Sequence, residues 1–123
     1  MLFRSIVTTN LFGDILSDLG AGLVGGLGVA TSANLHPGRR GLFEPVHGSA
    51  PAQAGRNTAN PMAAVLTGGL MLANLGLPDS ADKLEGAVRA ALGNGVRTAD
   101  VGGVSGTAEV GKWIAEHVSG GRQ

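Results

Sequence analysis

Asp14 and Asp18 are the first residues from which chemistry can be read. Within N-L-F-G-D-I-L-S-D, residues 10–18, they stand four positions apart. On a helix over residues 11–22 they would project from one face, about 40° apart around the axis. Two like charges at that spacing cost a few tenths of a kcal/mol on an exposed helix unless a cation lies between them. A hard divalent ion, bound through carboxylate oxygens, would offset that cost. A plainer account covers half of the pattern: negative charge near a helix N-terminus is favoured by about 0.3–1 kcal/mol, which explains Asp14 but not Asp18 a turn later. Two acids on a solvated helix face are common, so spacing alone leaves both readings open.

The helix that would position the pair carries an apolar ridge, Leu11, Ile15, Leu19 and Leu23, joined by Phe12 and Leu16. That pattern predicts a buried helix with its carboxylates at the edge of a cleft. Upstream, the β-branched S-I-V-T-T at residues 5–9 predicts a short strand, with Asn10 as the helix cap. Downstream, residues 20–28 contain a formal G-x-G-x-x-G at Gly20, Gly22 and Gly25. A dinucleotide fingerprint turns from a strand directly into a helix N-terminus, whereas this one follows a helical pattern, so it reads as a helix end and a glycine-rich loop.

Residues 33–42 read as a solvent-exposed loop around Pro37-Gly38. Arg39 and Arg40 could touch a phosphate there, but no aromatic residues or further basic cluster support them, and a solvated loop is the safer reading. Residues 42–46 form a short strand candidate broken by Pro45, and residues 47–60 a long loop of small residues. Such loops are often functional, because small side chains let backbone amides approach a ligand, a nucleotide being one candidate. Ser49 lies in H-G-S-A-P and not in a G-x-S-x-G elbow, which argues against a serine hydrolase. His47 taken alone is more often a structural hydrogen-bonding residue than a ligand.

From Asn60 onwards the helical signals are plain: Asn60 as cap, Pro61 at the first position, and an apolar helix over 62–75 stopped by Gly76 and Pro78. A second helix starts at Ser80 and ends at Gly93. Residues 97–104 are extended or turning, and Thr107 caps a last helix with a stripe of Val110, Trp113, Ile114 and Val118. Residues 119–123 are expected to fray.

A chain of 123 residues, 43% hydrophobic and 15% charged, is one domain's worth and can bury a core. The formal net charge of zero gives no attraction to nucleic acid or to an anionic membrane. The absence of cysteine rules out disulfides and thiolate metal sites within the chain and fits a reducing compartment. No signal-peptide pattern or membrane-length apolar run is present, so a soluble, cytoplasmic protein is expected.

Taken together, five motifs resemble the isocitrate/isopropylmalate dehydrogenase family. These are N-L-F-G-D-I-L-S-D at 10–18, G-G-L-G at 25–28, F-E-P-V-H-G-S-A-P at 43–51, A-N-P at 59–61 and D-V-G-G at 100–103. The resemblance runs along nearly the whole chain and corresponds to the C-terminal portion of the family's longer members. It implies an α/β fold, with residues 1–23 ending a dimer-contact domain and 24–123 completing the larger, cofactor-binding domain. It further implies oxidative decarboxylation of a small-molecule 2-hydroxy acid by a homodimeric enzyme, with NAD or NADP and with Mg²⁺ or Mn²⁺. Asp14 and Asp18 would be two of the metal ligands, in agreement with their spacing, and the ion would polarise the substrate's oxygen. Glu44 would lie near the nicotinamide, and His47, Gly48, Ser49, Ala50 and Asn60 would hold the adenosine portion.

Two departures stand out. Ala52 replaces the aspartate that NAD-using members usually carry after H-G-S-A-P, which leaves NAD against NADP open, and Arg56 nearby reads as solvated, so NAD is preferred. The family's proton-transferring tyrosine has no counterpart, since the chain has no Tyr. Lys83 and Lys112 lie in helical patterns outside the catalytic lysine's context, and the substrate-binding arginines and a further metal aspartate are missing too. No catalytic residue is therefore assigned, and the chain is expected to be inactive alone. The alternatives are an adenine-nucleotide-binding module and a subunit that complements another polypeptide.

Overall fold

The computed structural model of the protein describes residues 5–38 and 40–120. Its elements are helix α1 (Asn10–Leu23), strands β1 (Thr31–Leu35) and β2 (Gly41–Pro45), and helices α2 (Met62–Asn74), α3 (Pro78–Gly93) and α4 (Thr107–Val118). Single 3₁₀ turns occupy Pro51–Gln53 and Ala99–Val101. The mixture of helix and sheet is a portion of an α/β fold.

The core lies between α2, α3 and α4. Met62, Ala87, Val88, Ala91, Val110 and Ile114 are buried there, with Val65, Leu66, Leu92 and Trp113 packed around them. The sequence builds this cluster directly. Asn60 accepts the Met62 backbone N–H through Oδ1 at 2.9 Å, which starts α2. α2 and α3 both end in Schellman turns: Leu77 N–H bonds to Leu72 O at 3.0 Å and Val96 N–H to Ala91 O at 2.9 Å, with Gly76 and Gly95 as the reversing residues. Thr67, buried in α2, satisfies its hydroxyl on Ala63 O at 2.7 Å. No helix among the described residues is long and apolar enough to cross a membrane.

β1 and β2 form a two-stranded antiparallel sheet in which Thr31 pairs with Pro45 and Leu35 with Gly41. α2 packs against both strands. The expected loop over 33–42 is thus corrected: only residues 36–40 connect the strands, and His36 N–H closes the turn on Arg40 O at 3.1 Å. T-S-A-N-L has little strand propensity of its own, and its conformation comes from pairing with β2. Pro45 ends β2, where no ladder donor is required.

Three further expectations change. Residues 5–9 are not a strand; no partner strand lies beside them among the described residues, and a lone strand has nothing to bond to. Asn10 is the first residue of α1, the cap being Thr9 without a side-chain bond. The apolar ridge of α1 is not buried: Leu11, Phe12, Ile15, Leu16, Leu19 and Leu23 are 45–85% exposed, and Ala21 is the helix's one buried residue. No second layer among the described residues reaches that face. At the other end, Ser119 and Gly120 still bond back to α4, and residues 121–123 of the expected fray lie outside the described residues.

Candidate functional site

α1 leaves the core and turns back through residues 24–30 into β1, and the space between helix and hairpin is a cleft of about 870 Å³. Asp14, Ser17 and Asp18 line it from the helix, and Glu44, His47 and Gly48 from β2 and the residues after it. The strand register sets Glu44 opposite Ser32, so both side chains leave the same face of the hairpin, and both line the cleft. The volume falls within the range of about 300–1,000 Å³ usual for small-ligand sites.

Five of the eight residues expected at a site thus share one cavity, although Asp14 and Glu44 are thirty positions apart in the chain. Asp14 and Asp18 are both solvent-exposed, with Ser17 between them bonding the Asp14 carbonyl at 3.0 Å. His47 donates from Nδ1 to Gly48 O at 2.9 Å, because a carbonyl can only accept. Nε2 is then the ring's remaining polar atom, an acceptor in the neutral ring.

Ser49, Ala50 and Asn60 lie outside the cleft lining. Ala50 adopts a left-handed backbone, φ 42° and ψ 59°, and opens the 3₁₀ turn over Pro51–Gln53. Asn60 has its amide fixed at both ends: besides the bond to Met62, Nδ2 donates to Asp100 Oδ2 at 3.0 Å. Asp100 Oδ1 in turn accepts from the buried Thr98 hydroxyl at 2.5 Å. Gly28 passes directly over this junction, where a Cβ would overlap Asp100 Oδ2 and lie 2.8 Å from Asn60 Nδ2.

The family model for isocitrate/isopropylmalate dehydrogenase matches residues 1–114. The chain belongs to this family. Over 116 residues it is 55% identical to the 3-isopropylmalate dehydrogenase of Methanothermobacter thermautotrophicus, covering 94% of this chain and 35% of that protein. It is 56% identical over 101 residues to the isocitrate/homoisocitrate dehydrogenase of Thermus thermophilus, covering 82% of this chain and 30% of that one. The crystal structure of isocitrate dehydrogenase from Methylococcus capsulatus superimposes with a TM-score of 0.83 at 50% identity, over 91% of this chain and 34% of that one. The chain therefore spans about a third of the length of the relatives it matches.

This isocitrate/isopropylmalate dehydrogenase family chain carries two carboxylates suited to a hard cation, and among the described residues no group of three or more His, Cys, Asp or Glu side chains comes together to complete a cage. The donor set fits Mg²⁺ or Mn²⁺ only as part of a larger shell, completed by water, substrate or another polypeptide. Of the two arginines weighed for a phosphate, Arg39 lies outside the described residues and Arg40 is exposed in the hairpin connection, away from the cleft lining. The reading of Gly20 and Gly22 as helix holds, since both lie inside α1.

The junction of Gly28, Asn60, Thr98 and Asp100 is not visible from local sequence. G-G-L-G, A-N-P and D-V-G-G each look like turn punctuation, and only the fold shows that they meet. α4 holds a second such case: its first turn is capped by Asn57, fifty-one positions upstream of the Ala108 amide it accepts, while Thr107 is the first helical residue instead of the cap.

Proposed function

We propose that this chain forms the metal- and cofactor-binding part of an NAD(P)-dependent β-decarboxylating dehydrogenase that acts on a 2-hydroxy acid of the 3-isopropylmalate or isocitrate type. The observation that carries the reading is the shared cleft of Asp14, Asp18, Glu44, His47 and Gly48. Asp14 and Asp18 hold the divalent cation, Glu44 borders the nicotinamide, and His47, Gly48, Ser49, Ala50 and Asn60 hold the adenosine portion. When bound, the cation would stabilise negative charge on the substrate's oxygen, and the nicotinamide would supply the acceptor for the hydride from the hydroxyl-bearing carbon. The chain's own residues bind and orient: the carboxylates of α1 fix one end of the site, and the small residues after β2 let backbone groups approach the adenosine. Residues 1–23 belong to a dimer-contact domain and 24–123 to the larger domain of a cytoplasmic homodimer. The chain alone lacks the proton-transferring groups and is inactive.

A second reading, a subunit that complements another polypeptide, is favoured by the uncovered apolar ridge of α1. Calorimetric titration of the chain with Mn²⁺, ADP and NAD tests the first. Weak Mn²⁺ binding lost in Asp14→Asn/Asp18→Asn, and nucleotide binding weakened in His47→Ala, are the expected results. Nucleotide binding indifferent to His47, or turnover by the chain alone, would overturn it. Mixing with a polypeptide that carries the rest of a related dehydrogenase then tests complementation, read as NADH formation that neither part gives alone.

A further inference from the structure

We propose that Asn57 is a positioning residue that clamps the 47–60 loop onto the N-terminus of α4 and so holds it in its nucleotide-binding shape. The inference rests on the adenosine-binding role proposed for that loop. Asn57 adopts a left-handed backbone, φ 56°, which turns both its carbonyl and its side chain towards α4. Its main-chain oxygen accepts the Thr107 N–H at 3.0 Å and its Oδ1 accepts the Ala108 N–H at 2.8 Å, so one residue satisfies two of the helix's free donors. The Thr107 hydroxyl returns a bond to Ala59 O at 2.5 Å.

The fit is close enough to dictate the neighbouring residue. At Gly106 a Cβ would overlap Asn57 Nδ2 and lie 2.9 Å from its Cγ, so the clamp closes only over glycine. α4 is itself anchored, since Val110 and Ile114 one and two turns on are in the core. The loop's end is thus fastened at Asn57 and again, through Asp100, at Asn60, and the segment between His47 and Arg56 is exposed apart from a half-buried His47 and is held by its own turns. Loss of the side-chain cap frees the loop to leave its bound shape, and nucleotide binding must then reorder it.

Asn57→Gly tests this, because it keeps the left-handed backbone and removes only the side-chain bond. Asn57→Asp restores an acceptor at the helix N-terminus. Amide exchange and ADP titration are measured on the chain. Asn57→Gly is expected to raise exchange about fivefold at Ala108 and at the bonded loop amides of Gln53, Ala54 and Arg56. It is expected to weaken ADP by about the same factor, the equivalent of one lost cap, with Asp restoring both. Exchange in the Gly variant equal to that of the parent overturns the proposal, as does faster exchange with unchanged ADP affinity. If the parent binds no ADP, the adenosine role fails and the exchange arm alone decides whether Asn57 holds the loop. Thr107→Val, which deletes the hydroxyl bond to Ala59 in place, gives the same loop amides a smaller rise if Asn57→Gly does not fold, and no rise there overturns the clamp.

Discussion

Replacing Asp100 by Ala removes two hydrogen bonds at once, and their cost can be worked from the site. Thr98 is fully buried, and its hydroxyl has the Asp100 carboxylate as its bonding partner at 2.5 Å. Stranding a buried hydroxyl costs about 1–3 kcal/mol. Asp100 is exposed, so water entering the vacated space recovers part of this, and the lower half of the range applies. The Asn60 bond at 3.0 Å is charge-assisted but solvent-facing, and adds about 0.5–1 kcal/mol. A loss of about 1.5–3 kcal/mol results, which in a chain of this length lowers Tm by roughly 5–12 °C. Thr98→Val keeps the shape, removes the buried donor and leaves Asp100 hydrated, so it should cost under about 1 kcal/mol. In the double variant the stranded hydroxyl no longer exists, and the two changes should be non-additive by about 1 kcal/mol. Urea denaturation of the four proteins measures the cycle. Additivity, or an Asp100→Ala cost below about 0.5 kcal/mol, would show that the junction does not hold the two segments together.

Met62 has no accessible surface at the centre of the helical core, so Met62→Ala should cost about 2–5 kcal/mol, a value that denaturant titration would contradict if the change were neutral. Ala50 holds a left-handed backbone before Pro51, a conformation that costs an L-residue roughly 1–2 kcal/mol; Ala50→Gly should therefore be neutral or stabilising, and a loss above about 1 kcal/mol would refute the strain. Ile15→Lys/Leu19→Lys alters two exposed residues and should shift stability by no more than about 0.5 kcal/mol per site, while abolishing self-association of the parent chain in sedimentation experiments. A parent that stays monomeric at high concentration would refute the second half.

The parts of the fold legible in the sequence are those whose causes are local. α2 could be placed from Asn60, Pro61, an apolar run and a stopping glycine, because cap, first turn and C-terminal reversal act within a few residues of one another. The body of α3 and the stripe of α4 followed from helical spacing, but α3 begins at Pro78, which read as a stop after α2, and not at Ser80, because proline fits the first turn of a helix. β1 did not, since T-S-A-N-L has no pattern of its own and takes its conformation from β2. The carboxylate pair on α1 was legible for the same reason as α2: a four-residue spacing is a statement about one helix. That Glu44 and His47 line the same cleft was suggested by family motifs alone, because no periodicity connects residues thirty apart. The Asn57 cap and the Gly28 junction gave no signal, as each depends on a backbone brought near from another part of the chain.

The exposed ridge and the acidic ridge share one helix, and this joins the proposed metal site to whatever covers the apolar face. α1 buries Ala21 alone and makes no extensive packing with another helix or strand among the described residues. The wall that carries Asp14 and Asp18 is therefore held mainly by the turn at residues 24–30. A helix packed on one side by its turn alone samples orientations that change the cleft, and a cofactor reaching, as proposed, from the cation on α1 to the residues after β2 selects among them. Covering the ridge, whether by self-association or by another polypeptide, would narrow the same ensemble. Binding and covering must then favour each other by equal factors. The parent chain at a concentration where it self-associates should bind NAD in the presence of Mn²⁺ more tightly than Ile15→Lys/Leu19→Lys, and NAD with Mn²⁺ should in turn strengthen parent self-association by the same ratio. NAD titration of both proteins with Mn²⁺ present, repeated over a range of protein concentration, measures each side of that linkage. Equal affinities throughout would mean that α1 is already fixed by its turn and that the proposed site does not depend on the apolar face.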